Sequence, residues 1–150
     1  MNLQTSAITH LVIFIIWAMY SLMEGRRDGY YYHSAVKTGD SDKFNLHFIY
    51  QLQRALVLFL CMALSGNIFI AVAMGFSMIC TFSYLHNGAY YSTRNNLNKV
   101  IYPLRWKDDS TTSNSTIEIQ YGERIIIFIA GCFVFAITMI FALSTNTLSI

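Results

Sequence analysis

Two histidines and two carboxylates within or beside apolar stretches are the residues of this sequence best suited to chemistry. Imidazole nitrogens and carboxylate oxygens together are typical ligands of zinc, iron and manganese. The candidate metal ligands are His47, His86, Glu24 and Asp28. No short spacing such as His-x-x-x-His supports them, so a shared site would have to form where separate helices pack. A haem held by the two histidines is an alternative.

Three polar stripes accompany these candidates, each built of residues three or four positions apart, which share one face of a helix. Helix by helix, the stripes contain Glu24, Arg27, Asp28 and Tyr31; His47, Gln51 and Arg54; and Ser83, His86, Tyr90 and Arg94. Guanidinium groups bind carboxylates and phosphates well. An anionic ligand is therefore a second hypothesis, and its candidate binding residues are Arg27, Tyr31, Gln51, Arg54, Tyr90 and Arg94.

The composition indicates which elements carry these stripes. Of the 150 residues, 55% are hydrophobic and only 12% are charged, and the mean hydropathy is +0.43. A typical soluble domain has about 25% charged residues, and the interior of so short a chain is too small for this apolar content. We therefore predict an all-α polytopic membrane protein whose partner is the lipid bilayer. A net charge of +2 argues against nucleic acid as a partner.

Four apolar stretches approach the ~20 residues that a membrane-spanning helix needs. We predict four transmembrane helices, at about 6–36, 42–65, 67–99 and 124–145, which form a single domain as an antiparallel bundle with cytoplasmic helix extensions. A cytoplasmic loop is expected over about 100–123. Within it, Thr116–Tyr121 alternates in polarity and predicts a short strand, with Val100–Tyr102 as its partner in a hairpin.

The distribution of Lys and Arg predicts the orientation of the bundle. Residues 1–25 and 125–150 contain neither, whereas the connections after the first and third helices are basic. Cytoplasmic loops of membrane proteins are enriched in Lys and Arg. We therefore expect a multi-pass protein of the cell membrane (inner or plasma membrane) with both termini outside the cytoplasm.

The turns between helices predict which polar residues lie at the same level. A short turn at Gly66 places His47 level with His86. If the first helix runs unbroken, the preceding turn places Arg27 level with Gln53. The stripes of the first three helices would then meet in the cytoplasmic half of the bundle.

Arg54 is the only Lys or Arg inside an apolar stretch of the second helix. A charged side chain near the middle of a bilayer costs at least ~2.5–3.5 kcal/mol unless it is paired. We therefore expect Arg54 to lie inside the bundle within reach of Glu24 or Asp28. Such a pair either fixes the helix register or belongs to a binding site.

Three functions remain open at this level. In the first, a polar pocket binds a divalent metal or an anionic ligand for chemistry on a membrane-borne substrate, with the catalytic residues unassigned. In the second, the protein is a non-enzymatic accessory subunit or a homo-oligomer whose stripes only lock the bundle. In the third, it is a small proton- or ion-coupled transporter, for which Gly25 and Gly29 would interrupt the first helix.

Overall fold

A computed structural model describes residues 3–38, 46–65, 67–102 and 119–147 of the chain. They form four helices and, within those ranges, no strand. The helices are α1 (Leu3–Thr38), α2 (Leu46–Ala63), α3 (Ile68–Leu97) and α4 (Tyr121–Thr147). The prediction of an all-helical protein is therefore confirmed for the described residues.

Three segments are long and apolar enough to cross a membrane, namely Ala7–Ser34, Ile68–Leu97 and Tyr121–Ser144. The apolar part of α2, Ile49–Ala63, is shorter. Large apolar side chains point outward along the bundle; Phe69, for example, is 77% exposed. Because soluble monomers rarely expose apolar surface on this scale, the surface indicates association with a membrane.

The helix α1 packs against α3 through two glycines four residues apart. A Cβ placed on Gly25 would collide with the backbone oxygen of His86, and one on Gly29 would lie 2.9 Å from the backbone oxygen of Tyr90. Small residues at this spacing let two helices approach backbone to backbone. The helix α1 continues through both glycines, so the interruption considered for a transporter does not form.

The helix α3 contacts each of the other three helices. The buried Trp17 of α1 donates a hydrogen bond from Nε1 to the backbone oxygen of Met78, at 2.7 Å. Ser77 donates to the backbone oxygen of Gly131 in α4, also at 2.7 Å. Trp17 lies level with Met78, and Gly25 level with His86, so α1 and α3 run in the same direction.

The predicted β-hairpin is wrong for the residues that the structure describes. Val100–Tyr102 forms a turn after α3, because the Asn98 side chain accepts hydrogen bonds from the backbone N–H groups of Val100 and Ile101, both at 3.0 Å. Short polar side chains commonly hold the backbone in turns this way. At the other side, Tyr121 already begins α4. Residues 103–118, which include the first half of the second predicted strand, lie outside the described residues.

Candidate metal centre

The Glu24 carboxylate lies in a polar cluster between α1 and α2, and its side chain is only 1% exposed. Its Oε1 accepts a hydrogen bond from Nε of Arg54 at 2.7 Å and one from Nη2 of Arg27 at 3.3 Å. Nη2 of Arg54 also lies 3.8 Å from Oδ2 of Asp28. The expected contact of Arg54 with an acid of α1 is therefore confirmed.

Asp28 joins this cluster to α3. Its Oδ2 lies 3.1 Å from Nε2 of His86, and its Oδ1 accepts hydrogen bonds from Nε and Nη2 of Arg27 at 3.1 and 3.0 Å. His86 reaches the acid because Gly25 allows α1 to lie directly on the His86 backbone. The close approach of the two helices therefore brings the imidazole and the carboxylate together.

Glu24, Asp28 and His86 form the group of potential metal ligands in the described part of the chain. Taking one ligand atom from each, the three atoms lie within 4.8 Å of one another. Ligand atoms on a tetrahedral zinc ion would lie about 3.3 Å apart, so side-chain rotations that move these atoms by about 1.5 Å would bring them to that separation. Oε2 of Glu24 is buried and makes no hydrogen bond of standard geometry, although the Tyr20 hydroxyl interacts with the same carboxylate.

A cation could bind the cluster only by displacing the two arginines that already pair with its carboxylates. The two carboxylates are balanced by Arg27 and Arg54, so the group is formally neutral when His86 is neutral. A divalent ion would add two positive charges beside these guanidinium groups. Both arginines retain access to the surface, with side chains 39% and 31% exposed, and can turn away from the carboxylates. Guanidinium and metal would therefore compete for the same oxygens.

Arg94 and Tyr90 belong to a neighbouring aromatic group. The Cζ atom of Arg94 lies 4.0 Å from the ring centre of Tyr32 and 4.6 Å from that of Tyr102. Its Nη1 donates to the Tyr90 hydroxyl at 3.2 Å. Stacked rings of His86 and Tyr90, with centroids 6.4 Å apart, connect this group to the acidic cluster. The faces of the rings stabilise the Arg94 cation, which therefore needs no carboxylate.

The remaining predicted site residues lie at exposed positions or have side chains outside the described residues. Gln51 is exposed on α2, and Tyr31 is 41% exposed on α1. The side chain of His47 lies outside the described residues, so a site shared by His47 and His86 stays a prediction. His33 of α1 packs against the Tyr102 ring, with centroids 5.7 Å apart.

Further residues, among them Gln53, Tyr50 and Phe82, contact the cluster but were not assigned to it from the sequence. Gln53 accepts a hydrogen bond from Nη1 of Arg27 at 3.4 Å, in agreement with the predicted level of these two residues. The Tyr50 ring lies 3.9 Å from Cζ of the same arginine. Phe82 stacks on His86 with centroids 5.0 Å apart. Phe82 precedes His86 by one helical turn, a spacing that could have revealed it.

No family model, curated protein or solved structure matches this chain. The described residues show an all-helical, membrane-compatible protein with a cluster of Glu24, Asp28 and His86 between α1 and α3. Clusters of acids and histidine suited to metal binding are the strongest available indication of function here.

Proposed function

We propose that the protein is an integral membrane protein that binds a divalent zinc, iron or manganese ion through Glu24, Asp28 and His86. The convergence of these three ligands from two helices carries the proposal. The buried Oε2 of Glu24 supports it, because this oxygen makes no hydrogen bond of standard geometry and a bound ion would satisfy it. His47, on the neighbouring α2, is the fourth ligand that we propose.

Arg27 and Arg54 would allow the same site to bind an anionic group as well as a metal ion. Arg27 and Arg54 would leave Glu24 and Asp28 if an ion occupied these carboxylates, and could then bind an anionic group. A membrane-borne substrate with such a group would then lie beside the metal. A bound ion would polarise an oxygen of that substrate, while the guanidinium groups would orient it.

The proposed binding has a direct test in the metal content of the purified protein. After zinc loading and desalting in detergent, elemental analysis should find about one zinc per chain. His86→Ala should weaken zinc binding by more than the roughly 10–100-fold that loss of an outer-shell partner costs. His33→Ala is the matched control, because its ring lies on the aromatic group. Equal zinc content in both variants, or none in the wild type, would contradict the proposal.

A structural ion-pair lock in an accessory or oligomeric membrane subunit is the second candidate function. The 2.7 Å contact between Arg54 and Glu24 favours it, because such a pair fixes the register of α1 against α2 without any ligand. This candidate predicts that the cluster stabilises the bundle equally well with and without metal ions.

We further propose that all four helices span the cell membrane and that both termini lie outside the cytoplasm. The basic connections predicted from the sequence support this orientation. In a variant without native cysteines, Ser149→Cys should react in intact cells with a thiol reagent that cannot cross membranes. Lys99→Cys should react only after the membrane is opened. The reverse labelling pattern would refute the orientation.

A further inference from the structure

A groove of about 460 Å³ runs between α1 and α3, away from the acidic cluster. With 100° per residue, its α1 residues lie roughly opposite the face of Glu24 and Asp28. Gly88 and Ala89 form part of its wall, and their small size leaves the space open. The volume falls in the ~300–1,000 Å³ range of sites for small organic ligands.

The lining of the groove changes character along the helix axis. Met19, Leu22 and Met23 line one end. Arg26 lies one turn further along α1, near the level of Gly88, and two polar residues of α3, Ser92 and Asn96, follow further along the axis. Because α1 and α3 run in the same direction, the apolar residues come first along the groove and the polar residues of both helices come after them. The groove is therefore amphipathic along its length.

Arg26 differs from the arginines of the acidic cluster. Arg27 and Arg54 pair with carboxylates, and Arg94 lies among tyrosine rings. No ion pair or ring contact involves Arg26 within the ranges that the structure covers, and its side chain is exposed. It nevertheless lies within an apolar segment long enough to span a membrane. An arginine in that position extends toward the headgroup region, where phosphate is the abundant counterion.

We propose that this groove binds an anionic phospholipid. An acyl chain packs on Met19, Leu22 and Met23, and the lipid phosphate lies at Arg26. The Ser92 hydroxyl and the Asn96 amide lie further along the groove, where they can donate hydrogen bonds to the rest of the headgroup. The order of apolar and cationic residues along the groove matches the order of tail and phosphate in a lipid.

The test uses the full-length protein in detergent, with lipid adducts counted by native mass spectrometry. Phosphatidylglycerol should be retained in preference to phosphatidylcholine. Arg26→Gln should weaken phosphatidylglycerol retention about tenfold or more, because a charge-assisted contact to phosphate is lost. Lys99→Gln removes the same charge from an exposed position outside the groove and should retain the lipid like the wild type.

A second variant keeps the test informative if Arg26→Gln fails to fold. Met23→Trp fills the apolar end of the groove and leaves Arg26 in place, and it should also lose the lipid. Equal loss in Arg26→Gln and Lys99→Gln would overturn the proposal, because bulk charge alone would then explain binding. Displacement of the lipid by millimolar inorganic phosphate would overturn it as well, since the site would then recognise free phosphate.

Discussion

Gly25→Leu is expected to lower the free energy of unfolding by about 3 kcal/mol or more and to abolish the proposed zinc binding. Any Cβ at this position meets the His86 backbone oxygen, which cannot rotate away as a side chain can. The helix α1 must therefore move off α3, and Asp28 loses its contact with His86. Unfolding in mixed micelles and zinc content after loading measure the two effects.

Gly122→Leu is the matched control, because no atom lies within 4 Å of a Cβ placed on Gly122. Gly25→Ala provides a sharper test of the same contact. Alanine is the better helix former by about 0.8–1.0 kcal/mol, so a glycine without a packing role would be improved by this change. We expect Gly25→Ala to destabilise the protein, since the steric conflict with backbone outweighs the gain in propensity. A more stable Gly25→Ala protein would refute the packing role.

Arg54→Leu is expected to lower the free energy of unfolding by about 3 kcal/mol, the lower end of the range for breaking a buried ion pair. Glu24 is the partner left behind, and its side chain is 1% exposed. The lower end applies because Arg27 remains 3.3 Å from the same carboxylate oxygen and because Arg54 is itself partly exposed.

The double variant Glu24→Leu/Arg54→Leu should recover much of this loss, because neither charge is then left unpaired. Zinc separates the two candidate functions in the Arg54→Leu protein. If Glu24 and Asp28 are metal ligands, removal of the competing guanidinium should strengthen zinc binding, and added zinc should restore stability. If the pair is only a structural lock, zinc should leave the stability of Arg54→Leu unchanged.

The prediction that Arg54 meets Glu24 or Asp28 succeeded from the sequence because it depended on two local properties. Helical spacing determines which residues share a face, and short turns limit how far neighbouring helices can slip. The cost of a lone charge in an apolar segment then requires a partner at the same level. The same reasoning placed Arg27 level with Gln53, which the structure bears out.

The surroundings of Arg94 could not be predicted from helical spacing. Its position on a polar stripe suggested an anion-binding role, which stays a prediction, but did not suggest that the rings of Tyr32, Tyr90 and Tyr102 surround it. Spacing along one helix identifies a face but does not say which neighbour that face meets. Tyr102 reaches Arg94 only because Asn98 holds the chain in a turn after α3.

The sequence alone determined that this is an apolar helical protein with polar stripes and a paired Arg54. Composition, helical periodicity and the free-energy cost of an unpaired charge in an apolar segment can all be judged without knowing how the helices pack. Tertiary structure decided that Asp28 is the acid that meets His86. Gly25 and Gly29 allow that contact because they let α1 and α3 approach closely. From the sequence, the same two glycines could equally have been interpreted as interruptions of the first helix. The rotation of each helix about its axis depends on packing along its whole length, and no local pattern encodes it.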